Sequence, residues 1–165
     1  MAKKLRRIKN LQTVEHLIDR PSFIPAPSKR LRGSKAEGLS YERRIAGYLS
    51  ALAGGRAVHN PWYKFTDDEG DGWCSPDVIL LPKGDEPLVI FECKLTAVKG
   101  CEDKVRGLYL PVLQFLHPDT EIRTVQVAKN LRRGFEGYLI ENWKSALAPN
   151  VEWEFATWNF QKPPR

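Results

Sequence analysis

The nine residues Leu88 to Thr96, "LVIFECKLT", restrict this chain more than any other stretch. Leu88, Val89, Ile90 and Phe91 read as a buried strand, and Glu92 and Lys94 then follow where the core should continue. Taking a charge out of water costs several kcal/mol even after relaxation. A chain that only had to fold would rarely put an acid and a base there. Side chains alternate along a strand, so Ile90, Glu92 and Lys94 share one face. Phe91, Cys93 and Leu95 share the other, which assigns Cys93 to packing.

The run Asp77 to Leu81, "DVILL", reads as the preceding strand, with Asp77, Ile79 and Leu81 on one face. The turn from Pro82 to Pro87 is symmetric about Gly84 and Asp85. A hairpin folded there sets Asp77 opposite Glu92, close enough for their side chains to meet beside Lys94. A one-residue slip would separate them. Upstream, "AEGLSYERRIAGYLSALAGG" has helical spacing: Leu39, Glu42, Ile45, Ala46, Leu49 and Leu52 form one stripe, and Gly54-Gly55 supplies a stop. Glu42 therefore points toward the sheet and Arg43 toward solvent.

Carboxylates gathered in a partly buried place repel one another and need a cation. Oxygen ligands without neighbouring His or Cys suit Mg²⁺ or Mn²⁺, not zinc, and Mg²⁺ keeps positions for water and phosphate. The expected metal ligands are Asp77, Glu92 and Glu42. A lysine beside such a cation can orient or deprotonate the attacking water and stabilise charge on phosphate oxygens, which is the role expected of Lys94.

The rest of the chain reads as follows. Residues 1–20 have the spacing of a short basic helix, and Pro21, Pro25 and Pro27 make the next stretch an extended linker. Residues 36–165 then form the body. "RAVHNPWYKFT" reads as a strand interrupted by proline and "DDEGDG" as an acidic turn. "CEDKVRGLYLPVLQFLH" reads as a helix with a kink or restart at Pro111, and "EIRTVQVAK" as a strand. "FEGYLIENWKSAL" and "VEWEFATWNF" read as a last helix and strand. The fold class is α/β, with a central mixed β-sheet flanked by helices: hairpin strands antiparallel, and one parallel pairing across the helical crossover.

"PD" at 76–77 followed by "ECK" at 92–94 resembles the PD-(D/E)XK nuclease superfamily, and "GLSYE", Gly38 to Glu42, is similar to the helical G-x-x-x-E element of its resolvase and RecB-like branches. The likeness covers residues 36–130. It implies a restriction-endonuclease-like αβββαβ core. It also implies Asp77 and Glu92 as metal ligands, Lys94 as the catalytic lysine and Glu42 as a helical acid assisting the metal. The expected activity is Mg²⁺- or Mn²⁺-dependent hydrolysis of DNA phosphodiester bonds. An endonuclease acting on Holliday junctions or other branched DNA is the version that suits a small chain of a phage or mobile element acting in recombination. Symmetric cutting of two strands would require a homodimer. A catalytically silent nuclease-fold subunit that only binds nucleic acid is the alternative, and an incidental salt bridge at a strand end is the plainest reading of the motif.

Charge points the same way. The chain carries +6 over 165 residues, and ten lysines and arginines against Glu15 and Asp19 put +8 on residues 1–35, leaving −2 on the remainder. A basic arm suits a polyanion. The expected DNA contacts are Lys3, Lys4, Arg6, Arg7, Lys29, Arg30, Arg32 and Lys35, with Arg132 and Arg133 after the fourth strand. Trp62 and Trp73 flank the acidic turn and could stack on an unpaired base. His59, with no second histidine near it in sequence, reads as structural or as a DNA contact. "DDEGDG" lacks the spacing of a calcium loop. Three cysteines without C-x-x-C spacing argue against a disulfide framework and for a reducing, cytoplasmic setting, a bacterial host cell if phage-borne. No apolar run approaches a membrane span, and the basic N-terminus lacks a signal-peptide core.

Overall fold

The structure, a computed structural model, describes residues 6–24, 33–96 and 101–130, together with the backbone of 153–157. In chain order the elements are β1 (Thr13–Leu17), α1 (Ser34–Leu52), β2 (Ala57–His59), β3 (Trp62–Asp67), β4 (Gly70–Cys74), β5 (Val78–Leu80) and β6 (Leu88–Thr96). A helical stretch follows, made of α2 (Cys101–Lys104), a π turn (Val105–Tyr109) and α3 (Leu110–Leu116). β7 (Ile122–Asn130) and β8 (Trp153–Thr157) complete the set. The chain is mixed α/β with two sheets. One is antiparallel in the order β1-β3-β4, and the other is mixed in the order β2-β5-β6-β7-β8.

In the five-stranded sheet β2 and β6 both run antiparallel to β5, while β6-β7 and β7-β8 are parallel. The sheet thus holds two parallel pairings where the sequence suggested one. Alternation along the strands divides the core. Val78, Phe91, Cys93, Val125 and Val127 face α1, packing on Tyr41, Ile45, Ala46 and Leu49. Ile79, Leu88, Ile90 and Ile122 face the α2–α3 stretch and the small sheet, packing with Val105, Leu113, Tyr63 and Phe65. Each buried Val, Leu, Ile or Phe among them stabilises the fold by about 1.5–3 kcal/mol. Leu52 does not extend the α1 stripe: it is the last helical residue and 67% exposed. Gly54 and Gly55, both at positive φ, turn the chain there, and the Gly55 N–H donates to the Ser50 carbonyl at 2.8 Å.

Three expectations fail for physical reasons. Residues 57–67 do not form one interrupted strand. Asn60, at φ 50°, and Pro61 break it, so β2 joins the large sheet and β3 the small one. "DDEGDG" is a turn only at Asp68 and Glu69, because β3 runs to Asp67 and β4 begins at Gly70. The basic helix is absent from 13–17: Thr13–Leu17 is a strand, paired from Thr13↔Thr66 to Leu17↔Trp62. The open edge of β3 offers backbone partners that an isolated helix cannot match, so tertiary pairing overrides local spacing.

The N-terminal segment is therefore built into the body. Ile8, Leu11 and Val14 pack against the buried core. Arg6 pairs with Asp67, which is 2% exposed, donates to the carbonyls of Gly70 (2.7 Å) and Asp71 (2.8 Å), and lies 5.0 Å from the Phe65 ring centroid. Burial opposes the Asp67 charge, but the hydrogen bonds from Arg6 and from the backbone of Glu69 and Lys9 hold its carboxyl below the usual range. The expected kink at Pro111 takes a specific form. Pro111 has no N–H for the Gly107 carbonyl, the helix widens into the π turn, and the Ile8 N–H donates to that carbonyl at 2.8 Å. Gly107 also admits the passing arm: a Cβ there would sit 3.0 Å from Arg7 Cγ. Cys74, Cys93 and Cys101 are buried free thiols. Among the described residues no helix is long and apolar enough to cross a membrane. The expected helix within 131–150 lies outside the described residues.

Candidate active site

The register Val78↔Phe91, Ile79↔Ile90 and Leu80↔Val89 carries the candidate site. Continued by one residue, it sets Asp77 across from Glu92, the pairing that the symmetric turn implies. The Cys93 N–H donates to Asp77 Oδ2 at 2.7 Å, which fixes the carboxylate against β6. Lys94 Nζ donates to Glu92 Oε1 at 2.5 Å and stands 3.8 Å from Asp77 Oδ2. Asp77, Glu92 and Lys94 therefore come together toward the carboxyl end of β6, where the helical crossover leaves a parallel pair. Ligands in α/β sheets characteristically bind at such strand ends.

Glu92 is 1% exposed. Its Oε1 takes the lysine, whereas its Oε2 is buried with no hydrogen-bond partner among the described residues. An unpartnered buried acceptor costs about 1–3 kcal/mol, and a charged one more. Burial first, then the Glu92 and Glu42 charges, push the Asp77 carboxyl up to about 6 against the pull of Lys94 and the Cys93 N–H. Burial disfavours the Lys94 charge, but Glu92 and Asp77 outweigh it and hold the ammonium above its ordinary range. Lys94 is thus a proton-bearing donor here. Orienting water and stabilising charge are the expected roles that suit such a donor.

Glu42 does not join Asp77 and Glu92. Its Oε1 accepts from His59 Nε2 at 2.7 Å. The reason lies in the layers: α1 covers the Phe91 and Cys93 face of the sheet, while Glu92 alternates onto the other. His59 sits opposite Val78 on the α1 side. Glu42 influences Asp77 only as a more distant charge. Among the described residues no group of three His, Cys, Asp or Glu side chains is placed to hold a metal ion. The expected three-carboxylate ligand set thus reduces to the pair Asp77 and Glu92. That pair with its orphaned oxygen still fits Mg²⁺, which is usually held by one or two carboxylates with waters.

The Glu42–His59 contact gives a testable coupling. Glu42→Gln and His59→Ala are each expected to slow metal-dependent turnover by about 10-fold, the lower end for outer-shell partners of a metal site. The double mutant should lose no more than either single mutant. Additive losses would show that the two act independently.

Sequence reasoning missed Lys104. Its Nζ lies 3.4 Å from the same Glu92 Oε1 and 4.7 Å from the Tyr109 ring centroid. The only signal available was its place in the first helical turn after β6. Of the expected DNA contacts, Arg6 is committed to Asp67, Arg7 forms an exposed pair with Asp103 at 3.2 Å, and Lys35 is exposed at the start of α1. Lys3, Lys4, Lys29, Arg30, Arg32, Arg132 and Arg133 lie outside the described residues. Trp62 and Trp73 are half-buried. Arg20 lies 5.7 Å from the Trp62 ring centroid, and Phe23 meets Trp73 edge-on at 4.8 Å.

Comparison of the chain with family models, with curated proteins and with solved structures finds no match.

Proposed function

We propose that this chain is a metal-dependent nuclease of the PD-(D/E)XK type that hydrolyses DNA phosphodiester bonds. The observation that carries this reading is Glu92: a buried carboxylate with one oxygen on Lys94 and the other without a donor among the described residues, beside an Asp77 whose carboxyl is pushed up to about 6. Such a pair is costly to keep unless a cation completes it. The order α1, β2, β5, β6, α2–α3, β7 supports the reading, since it follows the αβββαβ arrangement with the β3-β4 hairpin inserted.

Asp77 and Glu92 would hold the Mg²⁺ or Mn²⁺. Bound there, the ion supplies Lewis-acid polarisation of a phosphate oxygen and acidifies a water. Lys94 keeps its proton and donates to the non-bridging oxygens as negative charge grows on them, a stabilisation largest in the transition state. Asp77, pinned by the Cys93 N–H, would keep its geometry as a ligand. Glu42, braced by His59, adds negative potential behind Asp77. On branched DNA, symmetric cutting takes two such sites and hence a homodimer.

The test is a cleavage assay with Mg²⁺ and Mn²⁺ on linear, nicked, forked and four-way DNA. Lys94→Met is expected to bind metal as the wild type does and to cut at least ~10²-fold more slowly. A mutant that unfolds without any effect specific to the reaction would return the motif to a structural salt bridge. One observation favours the silent-binder alternative: an ammonium already stands 2.5 Å from Glu92, where a cation would go. Calorimetric titration separates the two, because a silent binder need not take up Mg²⁺.

A further inference from the structure

Two lysines meet one oxygen. Lys94 Nζ is 2.5 Å and Lys104 Nζ 3.4 Å from Glu92 Oε1, while the buried Glu92 Oε2 has no donor among the described residues. If Lys104 were present to solvate Glu92, the empty oxygen is where its ammonium would gain most. It instead shares an acceptor already satisfied at shorter range. Its side chain is 35% exposed and rests over the Tyr109 ring, so the ammonium faces both the site and solvent.

The origin of Lys104 matters as well. Lys94 is fixed by strand alternation, whereas Lys104 comes from α2, immediately ahead of the π turn opened by Pro111. Widened turns of this kind recur at functional sites. The two ammoniums thus approach Glu92 from different elements. Their charges balance those of Asp77 and Glu92. A divalent cation on those carboxylates would compete with both lysines and leave the site with excess positive charge, which an anion must match.

We propose that Lys104 is a second phosphate-binding cation of this site, directed at a DNA phosphate next to the one Lys94 serves. The inference rests on the nuclease reading for its substrate, but its test does not depend on cleavage. A phosphate contact contributes about −0.9 to the slope of log K against log[salt] on duplex DNA.

The experiment is a salt titration of binding to a short fluorescein-labelled DNA duplex, using the full chain with Ca²⁺ in place of Mg²⁺. Lys104→Gln is expected to weaken binding about 5–10-fold at moderate salt and to flatten the slope by about 0.9. Lys104→Arg should keep the slope. Lys83→Gln, exposed in the turn between β5 and β6, should change neither. An unchanged slope in Lys104→Gln, with or without a lower melting temperature, overturns the proposal and leaves Lys104 as a counter-ion of Glu92. A wild type that does not bind the duplex overturns it too. If the slope falls but Mg²⁺ and Mn²⁺ support no cleavage by the wild type, the phosphate contact stands and hydrolysis alone is refuted. If the wild type cleaves and the slope is unchanged, the reverse holds.

Discussion

Glu92→Gln and Asp77→Asn are each expected to leave the chain folded and to reduce Mg²⁺-dependent cleavage on the order of 10³-fold or more. Losing the metal's several kcal/mol of transition-state stabilisation corresponds to that factor. Asp77→Asn should have the opposite effect on the stability of the metal-free protein. With Asp77 raised from 3.8 to about 6 by burial and neighbouring carboxylates, the folded state holds its proton more tightly than the unfolded chain. The stability Asp77 contributes is therefore greatest below pH 4, declines as pH rises toward about 6, and stays low above it. Asp77→Asn resembles the protonated acid and keeps an oxygen for the Cys93 N–H. It should raise metal-free stability at pH 8 by up to about 3 kcal/mol, and by little near pH 4. Thermal melts at the two pH values, with and without Mg²⁺, read both halves. Either mutant cleaving normally, or Asp77→Asn being less stable without metal at pH 8, contradicts the assignment.

Arg6→Ala is expected to cost about 3–5 kcal/mol, because it strands the buried Asp67 carboxylate without its cation. That is a large share of the 5–15 kcal/mol typical of a domain. Arg6→Met combined with Asp67→Asn should be less destabilised than Arg6→Met alone, since the charge is removed with its partner while an oxygen remains for the N–H group of Glu69. A chain beginning at Ser34 loses more: β1, the packing of Ile8, Leu11 and Val14, and the donor to Gly107 all go together. It should unfold without a cooperative transition in urea. A stable, cooperative truncated chain would show the segment to be dispensable. Deleting residues 1–33 is thus no clean test of a DNA-binding arm, because it removes part of the fold as well as the charge.

Much of the site was legible because its causes are local. Alternation along "LVIFECKLT" put Glu92 and Lys94 on one face, and the Pro82–Pro87 turn fixed the register that places Asp77 opposite Glu92. The α1 stripe held at Ile45, Ala46 and Leu49, and the glycine stop held at 54–55. The rest was not legible because its causes are not local. Helical spacing showed that Glu42 faces the sheet, but not that α1 lies on the opposite face from Glu92. His59 read as structural or as a DNA contact, but nothing in the sequence pointed to Glu42, which lies 17 residues away on another element.

What the sequence by itself determined is the α/β class, the β5-β6 hairpin and the meeting of Asp77, Glu92 and Lys94, all of which follow from side-chain periodicity and turn chemistry within about twenty residues. Only the tertiary structure decided that Thr13–Leu17 is a strand, that residues 57–67 divide between two sheets, that Glu42 turns to His59, and that Lys104 reaches Glu92. Each of these is a choice between partners: an open β3 edge against a free helix, an imidazole against a distant carboxylate. Such choices are made by proximity and desolvation, which exist only once the layers have packed.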